Sequence, residues 1–101
     1  MNKKAKVITI CGSFKFISKI IEETEKLTLE GNCILSIIYE TKNRASYSEI
    51  DCKLFKKMHF QRIEMSDAIF VVNVNGYIGE VTKREIEYAK QLKKEILYLE
   101  S

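Results

Sequence analysis

The chain has 101 residues, 46% of them hydrophobic and 31% charged, with four glycines and no proline or tryptophan. That is one domain, residues 1–101, and it excludes a disordered, collagen-like or mucin-like chain; no run approaches the roughly 18 apolar residues of a membrane span. Seventeen Lys and Arg against fourteen Asp and Glu give a net charge of +3, scattered without a basic stripe, which speaks against a nucleic-acid polymer as partner. Cys11, Cys33 and Cys52 are an odd count without C-x-x-C spacing, so neither a disulfide framework nor a structural zinc site is expected, and a reducing cytoplasm is the natural compartment. Met1-Asn2-Lys3-Lys4 leads into a short apolar run with no long hydrophobic region or small-residue cleavage site, so no signal peptide is expected.

Ala5 to Cys11 is a compact β-branched run that stops at Gly12-Ser13 and reads as a buried strand. From Phe14 to about Glu30 the period becomes helical, with Ile17, Ile20, Ile21, Thr24, Leu27 and Thr28 on one side and Gly31 as the stop. Cys33 to Tyr39 is a second strand, and Glu40 to Glu49 the longest loop. Asp51 to Met65 reads as a helix with Leu54, Phe55, Met58 and Met65 inward. Ala68 to Val74 is the third strand, Asn75 to Gly79 a loop, Thr82 to Lys93 a third helix and Ile96 to Leu99 a closing strand.

Near-continuous apolar strands separated by amphipathic helices imply a parallel sheet covered on both faces. Right-handed crossovers favour a flavodoxin-like, Rossmann-like three-layer α/β/α architecture: a four-stranded parallel sheet in the order 2-1-3-4. The ligand crevice of such a sheet lies beyond the strand C-termini, here the loops after strand one (Gly12 to Lys15) and strand three (Asn73 to Glu80).

Glu85 is the most informative side chain. It falls inside the apolar stripe Val81, Tyr88, Ala89, Leu92, where a carboxylate is costly unless it is paired or faces a cleft. The competing reading is a capping box, Thr82-Lys83-Arg84-Glu85, in which Glu85 bonds back to the helix start. Asp67, beside Ser66, suits a turn before the third strand. His59 is the single histidine and reads as a surface or packing residue, with no second ligand at metal spacing. Arg62 lies near the apolar face of its helix, where it pairs with a structural carboxylate or binds a substrate anion. The strand-Gly-helix turn at Gly12-Ser13-Phe14-Lys15 offers phosphate a close backbone approach and helix N-terminal amides. It is neither a Walker A loop nor a G-x-G-x-x-G fingerprint.

Two segments carry a resemblance to the nucleoside 2-deoxyribosyltransferase-like family, which includes the 2'-deoxynucleoside 5'-phosphate N-hydrolases. Cys11-Gly12-Ser13-Phe14-Lys15 is similar to the Cys-Gly-Ser-x-Arg opening of the nucleotide-hydrolase branch. Ser66-Asp67-Ala68-Ile69-Phe70-Val71-Val72, Gly79 to Thr82 and Glu85-Ile86-Glu87-Tyr88-Ala89 are similar to the family's Ala-Asp strand and Gly-Thr-x-x-Glu-[Ile/Leu]-Gly-Tyr-Ala helix start. Thr9 and Glu87 stand where the family carries Tyr and Gly, and Gly79 where some transferases carry Asp. Family members also continue past the fourth strand, after which this sequence ends at Ser101.

The resemblance implies cleavage of an N-glycosidic bond of a (deoxy)nucleotide or (deoxy)nucleoside, by hydrolysis or base transfer. In that reading Glu85 is the catalytic carboxylate at the anomeric carbon and Asp67 assists departure of the base. Gly12, Ser13 and Lys15 hold the 5' phosphate, and Gly79, Glu80 and Thr82 line the substrate side. No metal or organic cofactor is called for, and a cytoplasmic homodimer without membrane contact is expected. The alternative is a non-catalytic nucleotide-binding or regulatory module on the same fold.

Overall fold

A computed structural model of the chain describes residues 4–101. Met1, Asn2 and Lys3, which entered the signal-peptide reading, lie outside the described residues. The elements are β1 (Val7–Gly12), α1 (Ile17–Leu29), β2 (Cys33–Leu35), α2 (Glu49–Met65), β3 (Ala68–Val72), α3 (Glu80–Gln91) and β4 (Glu95–Tyr98), with single 3-10 turns at Phe14–Phe16, Arg44–Ser46 and Val74–Gly76. The four strands form one parallel sheet in the order β2-β1-β3-β4. The expected three-layer α/β architecture and strand order are therefore present. No described helix is long and apolar enough to cross a membrane.

Strand alternation divides the core into two layers. Ile8 and Ile10 of β1 join Ala68, Phe70 and Val72 of β3 against Ile20 and Leu27 of α1. On the opposite face Cys11, Ile69 and Val71 meet Ile63 of α2 and Ile86 and Ala89 of α3. The switch of strand order between β1 and β3 thus puts Cys11 under α2 and α3. Gly12 ends β1 where a Cβ would lie 3.2 Å from that of Val72, a tight contact that favours glycine between the two central strands.

Several element boundaries and faces differ from the sequence reading. β2 is three residues long, and the chain leaves the sheet at Ser36, so Ile37 and Ile38 belong to the loop above it. α2 begins at Glu49, capped by a reciprocal Ser48–Asp51 box. Its inward face is not the one expected: Leu54, Met58 and Met65 are exposed, whereas His59 and Ile63 are buried. In α1 Ile21 is likewise exposed and Glu23 buried. α3 begins at Glu80 with Gly79 as its N-cap, two residues earlier than expected. Its buried face carries Thr82 and Ile86, while Val81 and Leu92 lie at the surface.

Candidate active site

The earlier start of α3 decides the local meaning of Glu85. With Gly79 at the N-cap, Thr82 is the third helical residue and cannot cap, so the Thr82–Glu85 box does not form. Glu85 instead sits in the second turn, 8% exposed, facing Cys11 from β1 and His59 from α2. Cys11 Sγ lies 3.7 Å from His59 Nε2, and Glu85 Oε2 lies 3.9 Å from the same nitrogen. Three elements that meet only in the tertiary fold converge on one buried polar point.

Its electrostatics follow from burial. Loss of solvent pushes the Glu85 carboxyl up to about 7, partly offset by the Cys11 thiol beside it and the Lys56 ammonium. Burial lowers His59 to about 4, helped by the positive Arg62 and opposed by the Ile10 carbonyl. Burial and the Glu85 carboxylate together raise the Cys11 thiol well above its ordinary range, so it is not a thiolate nucleophile. At neutral pH His59 is uncharged, Cys11 keeps its proton and both forms of Glu85 are populated.

The hydrogen-bond geometry also fixes the imidazole tautomer. Arg62 Nη1 lies 3.3 Å from His59 Nδ1, and a guanidinium only donates, so Nδ1 accepts and the ring proton sits on Nε2. Arg62 therefore orients His59, and among the described residues it has no carboxylate within ion-pair distance. Ser66 and Thr9 pin this end of α2: their hydroxyls contact each other and both lie within reach of the Arg62 carbonyl, so that one donates to the carbonyl and the other to its neighbouring hydroxyl.

Cys11, His59 and Glu85 have their ligating atoms within 4.8 Å of one another, which raises the question of a metal. The donor set fits poorly, because the His59 nitrogen that faces the cluster carries the ring proton. These residues suit a hydrogen-bonded cluster better than an ion.

Two members of the cluster, His59 and Glu85, line an open cleft of about 370 Å³. Gly12 and Phe14 after β1, Ile37, Ile38, Glu40 and Arg44 after β2, and Val81 and Glu85 of α3 line it on three sides. The fourth side is α2, through Glu49, Cys52, Lys53, Phe55, Lys56, His59 and Arg62. The cleft lies at the C-terminal end of β1, as the open α/β sheet requires.

Not every expected site residue reaches it. Ser13 caps the short 3-10 turn by accepting from the Lys15 amide at 3.3 Å. The Lys15 ammonium lies 3.7 Å from the centroid of the Tyr77 ring, and the Tyr77 hydroxyl covers Gly79. The loops after β1 and β3 do meet, but as a cation–π clasp outside the cleft lining, and Glu80 and Thr82 also lie outside that lining. Asp67 is farther still. Its amide donates to the Val7 carbonyl and its Oδ2 accepts from the Val7 amide, both at 2.8 Å, while the Glu95 amide reaches its carbonyl at 3.3 Å. It ties together the N-terminal ends of β1, β3 and β4. The cleft is at the other end of β3, whose five residues span roughly 16 Å. Asp67 is a structural staple and does not share the site of Glu85.

The sequence pattern assigns no role to Cys11, Arg44, Lys53 or Lys56, and in it His59 reads as a surface or packing residue. For Cys11 the signal was present, since alternation along β1 sets it opposite Ile8 and Ile10, under the later helices. No family model matches the chain, and no curated protein matches it.

Proposed function

We propose that this chain cleaves the N-glycosidic bond of a deoxynucleotide or deoxynucleoside, with Glu85 as nucleophile, in the manner of the nucleoside 2-deoxyribosyltransferase-like family it resembles. The observation that carries this reading is a nearly buried carboxylate, without a charged partner at neutral pH, facing a cleft at the C-terminal edge of a parallel sheet. Such a group costs stability, and a developing oxocarbenium ion is a cation it can compensate. Phe14, Ile37, Ile38 and Phe55 give the cleft an apolar wall suited to a base.

In the first step a Glu85 oxygen bonds to the anomeric carbon while the carbon–nitrogen bond breaks. Its electron pair leaves on the base nitrogen, which takes a proton from solvent in the open cleft. In the second step water adds to the anomeric carbon, the ester bond returns its electrons to the carboxylate, and a proton is released. A second base in place of water makes the reaction a transfer. His59, uncharged and with Nε2 3.9 Å from Glu85 Oε2, flanks the carboxylate without neutralising it, and at about 4 it is no proton donor for the base.

The test is chromatography for free base after incubation with deoxynucleosides and their 5' monophosphates. Wild type releases base, and folded Glu85→Gln loses at least about a hundredfold in rate, as expected when a nucleophile is removed. Since the attacking form is the anion, kcat/KM rises with pH through an ionisation near 7 and levels off above it. Undiminished release by folded Glu85→Gln overturns the assignment. A second reading, nucleotide binding without turnover, draws on the same high ionisation, because a protonated carboxyl donates a hydrogen bond and does not attack. A melting-temperature rise with deoxynucleoside monophosphate, with no base released, marks that case.

A further inference from the structure

We propose that the 5' phosphate of the substrate binds on α2, between Lys53 and Lys56, and that the chain accordingly selects nucleotides over nucleosides. The inference rests on the glycosidic reading of the Glu85 cleft and moves the phosphate away from the Gly12–Lys15 loop.

Five cations come into question around the crevice. Lys15 is committed to the Tyr77 ring and lies outside the lining. Arg44 is paired with Glu40 at 2.8 Å. Arg62 is turned onto His59 Nδ1 at 3.3 Å. Lys53 and Lys56 line the cleft, and among the described residues neither has a carboxylate within ion-pair distance. Their ammonium groups are free to meet an anion, whereas Arg62 spends an Nη1 on the imidazole.

Their spacing suits a nucleotide. Lys53, Lys56 and His59 follow one another at three-residue intervals along α2, a rise of about 4.5 Å per step. Glu85 faces the level of His59, so the first ammonium lies one step from the reacting centre and the second lies two. A pentose with its anomeric carbon at Glu85 spans the first interval and presents its 5' phosphate to both lysines. The field of Lys56 already reaches Glu85, since it counts among the groups drawing that carboxyl down.

The experiment compares kcat/KM for a deoxynucleoside 5' monophosphate with that for the matching deoxynucleoside, in wild type and in Lys53→Gln, Lys56→Gln and the double variant. Lys57→Gln, one residue along α2 and outside this cleft, controls for net charge. A parallel arm follows melting temperature with deoxyribose 5-phosphate as the probe. Wild type favours the monophosphate, each cleft lysine accounts for about a tenfold share of that preference (~1.4 kcal/mol), and Lys57→Gln preserves it. The probe raises the melting temperature of wild type and of Lys57→Gln but not of the double variant, and Lys→Arg at both positions restores the shift. A preference or a shift that survives in the double variant overturns the proposal, as does a wild type that shows neither. If no base is released from any substrate, the glycosidase reading falls by itself, and the melting arm still decides the phosphate site.

Discussion

Glu85 and Asp67 show how differently two carboxylates of one candidate motif can be placed. Glu85 keeps its side chain among Cys11, His59 and apolar neighbours, where burial holds it near 7. Asp67 is solvent-exposed and spends its oxygen on the Val7 amide. The two therefore answer differently to mutation. Asp67→Ala removes one exposed hydrogen bond at the start of the sheet and costs about 1 kcal/mol of stability, while base release by the folded variant persists. Urea denaturation alongside the chromatographic assay measures both quantities. A variant that keeps its stability and loses turnover would put Asp67 back in the chemistry and contradict the separation described above.

At the scale of elements, the cleft depends on the rotational setting of α2 and α3, and this is where the sequence was least explicit. The strands, their order and the crevice edge are legible, because β-branched runs and short connections admit few arrangements. The helix faces are not. α2 carries large apolar residues on more than one side, with Leu54, Met58 and Met65 competing against Phe55, Phe60 and Ile63. The buried side is selected by what β1 offers, Thr9 and Cys11, which partner Ser66 and His59. Periodicity within the helix has no access to that choice. The sequence places the start of α3 two residues late, because Thr82 resembles a cap and Gly79 has no side chain to announce one, yet the stripe still marks Glu85.

Since α2 supplies one whole wall of the cleft, its first turn bears on the site. Ser48→Ala removes the Ser48 half of the capping box, in which Ser48 Oγ accepts from the Asp51 amide at 3.0 Å. The expected cost is about 1 kcal/mol. That cost appears as lower helicity and as faster amide exchange over residues 49–56. Exchange at the Cys11–Glu85 end is expected to change least, because Ser66 and Thr9 anchor α2 there independently. Equal loosening along the whole helix would mean that α2 moves as one body and that the cap sets its seating.

For the whole molecule, the cluster makes an unusual contribution to the pH dependence of folding. The Glu85 carboxyl rises from 4.5 to about 7 on folding, so between those values the native state holds a proton that the unfolded state has lost. Its contribution to stability is greatest below 4.5 and is lost as the pH climbs to 7. His59 falls from 6.5 to about 4; there the unfolded state binds the proton, and stability rises with pH across that window. Each effect is on the order of 3 kcal/mol, and where the windows overlap they oppose each other. The wild-type contribution of this cluster is therefore nearly flat from pH 4.5 to 6.5, and single variants unmask its two halves. Glu85→Gln is expected to gain stability as the pH rises from 4 to 6.5 and to exceed wild type at pH 8. His59→Asn loses stability with rising pH over the same interval. Urea denaturation at pH 4.5, 5.5, 6.5 and 8 reads both slopes, and parallel curves for all three proteins would refute the coupling. A gain in stability at pH 8 on replacing Glu85, together with loss of base release, would mean the fold bears a charged carboxylate at a cost, a cost a purely structural residue would not impose and a nucleophile does.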